Sequence, residues 1–251
     1  MPENRHPPRV LTGVRPLPGG AAVRAHRHAE HQIVHAGRGV LSVTTGAGTW
    51  VAPANRAIWI PAGTVHEHRA YGDTDLHLVG LPVTADPLRL GRPAVIGVGP
   101  LLRELIVAYT RRPAGAGPER GRLLAVLLDE LRLSAEQPLH VPAAKDSRLA
   151  AVCAILRDDP ADDRTLAQLG AVAGVSDRTL SRLCRAELGM SFPQWRTQVR
   201  LHHALRLLAE GLPVTTVAHR CGWASSSAFI DVFRRAFGHT PGAHRARHAG
   251  A

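Results

Sequence analysis

A plan that occurs twice near the C-terminal end constrains this chain more than any other feature. Thr165-Leu166-Ala167-Gln168 has the form of a capping box opening a short helix that stops at Gly174. Ser176 then caps a second helix, Asp177 to Leu188, which Gly189 ends in the C′ position. Later, a short helix from Pro213 stops at Gly222, a serine cluster at 225–227 opens another, and Gly238 closes it. The turn glycines are offset by 48 and the second helices by 49, pairing Leu180 with Phe229, Leu183 with Val232 and Gly189 with Gly238. One extra turn residue accounts for the slip. A short helix, a glycine turn and a second helix make a helix-turn-helix, here in tandem.

The segment between the two copies reads as a rigid joint. Ser191 and Gln194 form another capping box, Met190 can staple onto Trp195, and Val199, Leu201, Ala204, Leu205 and Leu208 give one apolar stripe. Two recognition helices can then enter successive major grooves, roughly 34 Å apart. With Leu180, Leu183, Cys184 and Leu188 turned inward, the first recognition helix presents Arg178, Ser181, Arg182 and Arg185. With Phe229, Val232, Phe233 and Phe237 inward, the second presents Ser227, Ile230, Asp231 and Arg234. The first face, with three arginines, is expected to dominate affinity and guanine reading, and the second to bind more weakly. Charge agrees: residues 164–251 hold 12 Arg against four acids, +8 of the chain's net +11. Such a surplus on shaped helices points to double-stranded DNA.

Residues 146–251 resemble the tandem helix-turn-helix domain of the AraC/XylS family of transcription regulators. The motifs that carry the likeness are TLSRLCRAELGMSFPQWR (179–196), RLHHALRLLAEG (200–211) and VAHRCGWASSSAFIDVFRRAFGHTP (217–241). The resemblance implies base contacts at Arg178, Ser181 and Arg182 in the first unit, and at Ser226, Ser227, Ile230 and Asp231 in the second. Three positions depart from the family's pattern. Gly170 stands where Ala is usual, Trp223 where Phe or Tyr is, and His244 where a Tyr often closes the domain. Arg200 matches a recurrent family arginine and reads as structural, holding the linker helix.

The N-terminal part has a different period. VLSVTT (40–45), TWVAP (49–53), RAIWIPAG (56–63) and DLHLVGL (75–81) are short, β-branched or alternating, and bounded by Gly, Pro or Asp, as in a small barrel or sandwich. Within it, Gly20-x5-His26-x-His28-x3-Gln32-x6-Gly39 is followed by Pro61-x-Gly63-x2-His66. This resembles the two motifs of the cupin superfamily, whose metal ligands are two His, one Glu and a later His. The likeness implies a divalent transition metal at His26, His28, Gln32 and His66. However, Gln32 replaces the anionic ligand, and Ala70 replaces the second motif's terminal Asn. The alternatives are that these rings contact an organic effector or are remnants of the fold motif. His31, His35 and His68 add to the cluster, and Trp50 and Trp59 read as core.

Helical spacing begins at Pro100, and the leucine-rich helix 118–133 suits either monomer packing or a homodimer. Segment 134–145, with two prolines, reads as a linker. The acidic stretch 158–163 reads as a solvated helix connection, because it lacks the ligand spacing of a calcium loop. The expected architecture is multidomain α+β: a cupin-like β-barrel sensor at 1–90, a helical connector at 91–145, and an all-α DNA-binding domain at 146–251. No apolar run of about 18 residues is present to span a membrane, and MPENRHPPRV has no apolar signal segment. Cys153, Cys184 and Cys221 fall in apolar helical patterns, which suits the reducing cytoplasm. The implied function is a transcription regulator answering to a small molecule or metal in the barrel, and engaging RNA polymerase if it activates. The rival is a metal-dependent cupin enzyme with a DNA-binding appendage, against which the missing Glu weighs.

Overall fold

A computed structural model describes residues 12–113, 117–137 and 139–249, so the stretch MPENRHPPRV lies outside the described residues. The chain divides into two compact units, one of Met1–Gly46 with Trp50–His140, the other of Ala47–Thr49 with Val141–Ala251.

The β-rich part comprises β1 (Gly13–Leu17), β2 (Ala22–His26), β3 (His31–Ala36), β4 (Val40–Thr45), β5 (Gly48–Pro53), β6 (Arg56–Ile60), β7 (His66–Tyr71), β8 (Thr74–Leu81) and β9 (Ala94–Gly97). Helices α1 (Pro100–Arg111) and α2 (Gly117–Leu133) follow, then two short strands, β10 (Glu136–Gln137) and β11 (His140–Pro142). The strands form two sheets, ordered β1-β8-β3-β6-β9-β10 and β11-β5-β4-β7-β2. Strand β7 alternates as a half-buried strand should, with His66, His68 and Ala70 buried and Glu67 and Arg69 exposed. Strand β3 is buried almost throughout because its second face is also covered. There Ile33, Ala57, Trp59, Val79, Leu81 and Ile96 pack against Leu102, Leu105, Ile106 and Tyr109 of α1 and Leu127 and Leu131 of α2. Each buried Val, Leu or Ile side chain among them contributes about 1.5–3 kcal/mol by leaving water. Trp50 and Trp59 are core residues, and the Trp59 indole donates to the Leu90 carbonyl at 2.9 Å.

Residues 91–145 are not a purely helical connector. Strand β9 pairs with β6, aligning Ala57 with Ile96, and β10 pairs with β9, aligning Glu136 with Ile96. The expected linker 134–145 therefore contains two strands. An Arg92–Glu136 ion pair of 2.6 Å adds a cross-link to β10. Strands of two to four residues have no room for alternation, and they form only because a distant partner is already in place.

The second unit is helical: α3 (Ser147–Asp158), α4 (Leu166–Val172), α5 (Asp177–Leu183), α6 (Phe192–Ala209), α7 (Val214–Arg220), α8 (Ser226–Phe237) and α9 (Pro241–Ala249). The expected capping boxes at Thr165/Gln168 and Ser191/Gln194 are both formed. Ser176 and Ser225 cap α5 and α8 by accepting from the Thr179 and Ala228 amides. The first recognition helix is not uniform to Leu188, because Cys184–Leu188 is a π-helical turn closed by Gly189 at φ 69°. One core gathers Leu149, Val152, Leu169, Leu180, Cys184, Trp195 and Val199, with Met190 packed beside it. Phe229, Phe233 and Phe237 are fully buried on the inner face of α8. All three cysteines are buried and unpaired. No described helix is long and apolar enough to cross a membrane.

Candidate functional site

The candidate nucleic-acid interface follows from how α5 is anchored. Its inner face is fixed by Leu180 and Cys184, both fully buried, which turns the expected arginines outward. Arg178, Ser181, Arg182 and Arg185, with Thr179 and Ala186, line an open groove of about 810 Å³. Among the described residues, the ion pairs of this unit are Arg148–Asp146 and Arg164–Asp162. The three groove arginines are therefore left with their full charge toward solvent. Glu187, an acid on the same turn, faces elsewhere, accepting from the Lys145 and Asp146 amides at 2.7 and 3.0 Å.

The second face is assembled in the same way and is poorer in charge. Ser227, Asp231 and Arg234 are exposed, while Ser226 and Ile230 are half-buried. Behind it, Arg200 donates to the Pro160 carbonyl at 3.0 Å and stands over the Trp223 ring at 5.8 Å. It clamps the loop between α3 and α4, a structural role. His244 fills the place of a closing tyrosine: it is 2 % exposed, stacked on His239 at 5.4 Å and edge-on to Phe233.

In the barrel, β2 and β7 pair antiparallel with His26 opposite His66, and a bulge between Val23 and His26 re-aims the end of β2. The His26 and His66 rings are 4.4 Å apart, and His28 lies 5.0 Å from His66. Strand β2 ends at His26, so His28 reaches the cluster from just beyond the strand rather than by alternation within it. Gln32 lies beside the His28 imidazole, its side chain turned toward the ring. His68 is brought in as well, stacked on His66 at 4.9 Å because the two are neighbours on one face of β7. The His, Cys, Asp and Glu side chains that can share one ion, among the described residues, are His26, His66 and His68, with ligand atoms within 4.8 Å of one another. The motif spacing alone did not single out His68; its alternation with His66 is the signal that could have.

The nitrogens suit an electron-pair acceptor. Nδ1 of His26, His28 and His66 faces the carbonyls of Arg24, Glu30 and Thr64 at 2.8, 2.9 and 2.9 Å. A neutral imidazole must donate there, which leaves each Nε2 with its lone pair. Nε2 of His66 and both ring nitrogens of His68 are buried with no hydrogen bond. Burial, reinforced by neighbouring imidazoles, pushes His66 down to about 4 and His68 to about 3, so both rings are neutral at pH 7. The residues present therefore fit a divalent transition ion, with imidazoles in place of a carboxylate.

Comparison with known proteins gives the chain its family. Residues 169–247 match the helix-turn-helix domain model, and residues 14–82 match the cupin domain model. The HTH-type transcriptional regulator NimR of Escherichia coli (strain K12) is 33% identical over 231 residues, covering 88% of this chain and 82% of that protein. RipA of Corynebacterium glutamicum, another HTH-type transcriptional regulator, is 38% identical over 101 residues, 40% of this chain and 30% of that one. Among solved structures, a DNA-binding transcriptional dual regulator from Escherichia coli K-12 is 32% identical, covering 43% of this chain and 98% of that chain with a TM-score of 0.40. The tandem helix-turn-helix with its cupin partner, together with a relative matched over most of both lengths, places this chain in the AraC/XylS family of DNA-binding transcription regulators.

Proposed function

We propose that Arg178, Ser181, Arg182 and Arg185 of the first unit, and Ser226, Ser227, Ile230, Asp231 and Arg234 of the second, read one duplex site, and that the occupant of the barrel controls how they do so. The observation that carries this reading is the groove of arginines along α5, which have no ion-pair partner among the described residues. Guanidinium forks match phosphates and guanine edges, and no acid within the groove competes for them. Binding in the barrel would bias the equilibrium between presentations of the two recognition helices, a coupling that runs in both directions. The occupant is a small molecule or a divalent transition metal. The site of action is the cytoplasm, where the DNA is, and an activating form would also engage RNA polymerase.

A homodimer belongs to the same reading. Helix α2 buries Leu127 and Leu131 but leaves Val126 and Leu133 46% and 80% exposed. A second copy is the partner that would cover them.

The test is binding of the purified full chain to its own upstream DNA and to a scrambled duplex across a salt series. A preference of about a thousandfold or more is expected. Equal affinity for both duplexes, with the barrel loaded or empty, would remove the specific-regulator reading.

A further inference from the structure

We propose that His68 replaces the carboxylate missing at Gln32, so that the barrel holds a late first-row divalent ion on imidazoles alone: His26, His66 and His68, with His28 adjoining. The inference rests on the reading of the barrel as the sensing domain, and it names that domain's occupant.

Three observations on two adjacent strands support it. First, β7 turns His66 and His68 to the same buried side while Glu67 and Arg69 face out. The acid next to the cluster in sequence is thus excluded from it by the pleat. Second, register sets His26 of β2 directly across from His66, so two adjacent strands supply three ligands. Third, His68 is 2 % exposed with neither ring nitrogen bonded. A buried imidazole without a partner forfeits the hydrogen bonds it had in water, and few such groups survive in a fold without a compensating ligand. His66 shares the condition at Nε2, while its Nδ1 is pinned by the Thr64 carbonyl, the arrangement that orients metal-bound histidines.

Chemistry then selects the ion. Imidazole nitrogens suit zinc, nickel, cobalt and copper, whereas magnesium, calcium and manganese call for oxygen ligands. The atoms of the cluster lie within 4.8 Å of one another.

The experiment uses the full chain, stripped with a chelator, dialysed, and titrated with zinc chloride against a chromophoric competitor. Cobalt chloride supplies a visible spectrum of the bound ion. One tight zinc per chain is expected. His68→Ala should weaken it by at least about a hundredfold, since even outer-shell partners of metal ligands cost 10–100-fold. Gln32→Ala should stay within about threefold, and His35→Ala, a buried histidine outside the cluster, should match the unaltered chain. Absence of a stoichiometric ion, equal affinity in His68→Ala, or an equal loss in Gln32→Ala overturns the proposal. If His68→Ala fails to fold by circular dichroism, zinc-edge X-ray absorption of the unaltered chain decides. Three or four imidazoles support the proposal, and a carboxylate oxygen in the shell overturns it. Operator binding is read on the same samples. A chain that binds its operator but no ion refutes this inference alone, whereas one that binds the ion through His68 but no operator refutes only the regulator reading.

Discussion

Arg178 and Arg182 lie four residues apart, so they share one side of α5, and Arg185 continues that side onto the π-helical turn. Arg178→Ala and Arg182→Ala are each expected to cost about 1–3 kcal/mol of operator affinity, read by fluorescence anisotropy at fixed salt. If neither variant shifts the curve, α5 is not the reading helix. This face was legible in the sequence because helical period and the buried leucines leave only one side for the arginines. His68 was legible only as one more histidine near the cluster, since its place beside His26 depends on which strand pairs with β7. His35 carries a separate expectation. It is fully buried beside His77 and Arg103, its Nδ1 meets the Arg56 carbonyl at 3.0 Å, and burial pulls it from 6.5 to about 4. Below pH 6.5 the unfolded chain takes up a proton that the folded ring refuses. Its contribution is therefore fully present above pH 6.5 and lost as pH falls toward 4, on the order of 3 kcal/mol. Urea unfolding at pH 7 and pH 5 should show the loss, and His35→Leu should shrink it. Equal acid sensitivity in both proteins would mean that His35 does not set it.

The turns of the two helix-turn-helix units look alike in sequence and differ in their surroundings. Gly174 (φ 65°) has open space where a side chain would go, whereas a Cβ at Gly222 (φ 71°) would meet Arg200 Nη2 at 2.7 Å and Ala161 Cα at 2.8 Å. Gly174→Ala should cost about 1–2 kcal/mol, the backbone penalty alone. Gly222→Ala should cost more, because the α3–α4 loop must also move. Denaturant midpoints of the two variants check this, and equal losses would show that the loop yields freely. Helices with serine caps and terminal glycines were readable because their signals are local. So were β4, β5, β6 and β8, bounded by turn residues. By contrast, β9, β10 and β11 owe their existence to partners far along the chain, and no local pattern marks them. The π-helical turn at Cys184–Leu188 is equally silent, since its extra residue leaves the apolar spacing nearly unchanged.

Taken whole, the molecule is a strongly basic chain, net +11, and 12 of its arginines fall in residues 164–251. Operator affinity should therefore fall steeply with salt, each neutralised phosphate adding about 0.9 to the logarithmic slope. A flat salt profile would argue against a phosphate-tracking interface. Sedimentation equilibrium tests the dimer: the full chain should self-associate, and Leu133→Arg, at a position 80% exposed, should return it to monomer without lowering its melting temperature. A monomeric unaltered chain would leave α2 as a covering helix only. The compact unit that carries the DNA-binding helices also takes in Ala47–Thr49, where Ala143 donates to the Ala47 carbonyl at 3.0 Å and Gly48 abuts Val141 and Pro142. Modular inheritance is thereby limited. A gene fusion that joins residues 141–251 to a foreign sensor leaves this three-residue segment, the turn residue Ala47 and the start of β5, behind with the old one, so new regulators built from this half must bring a segment of matching shape or lose an edge of its packing.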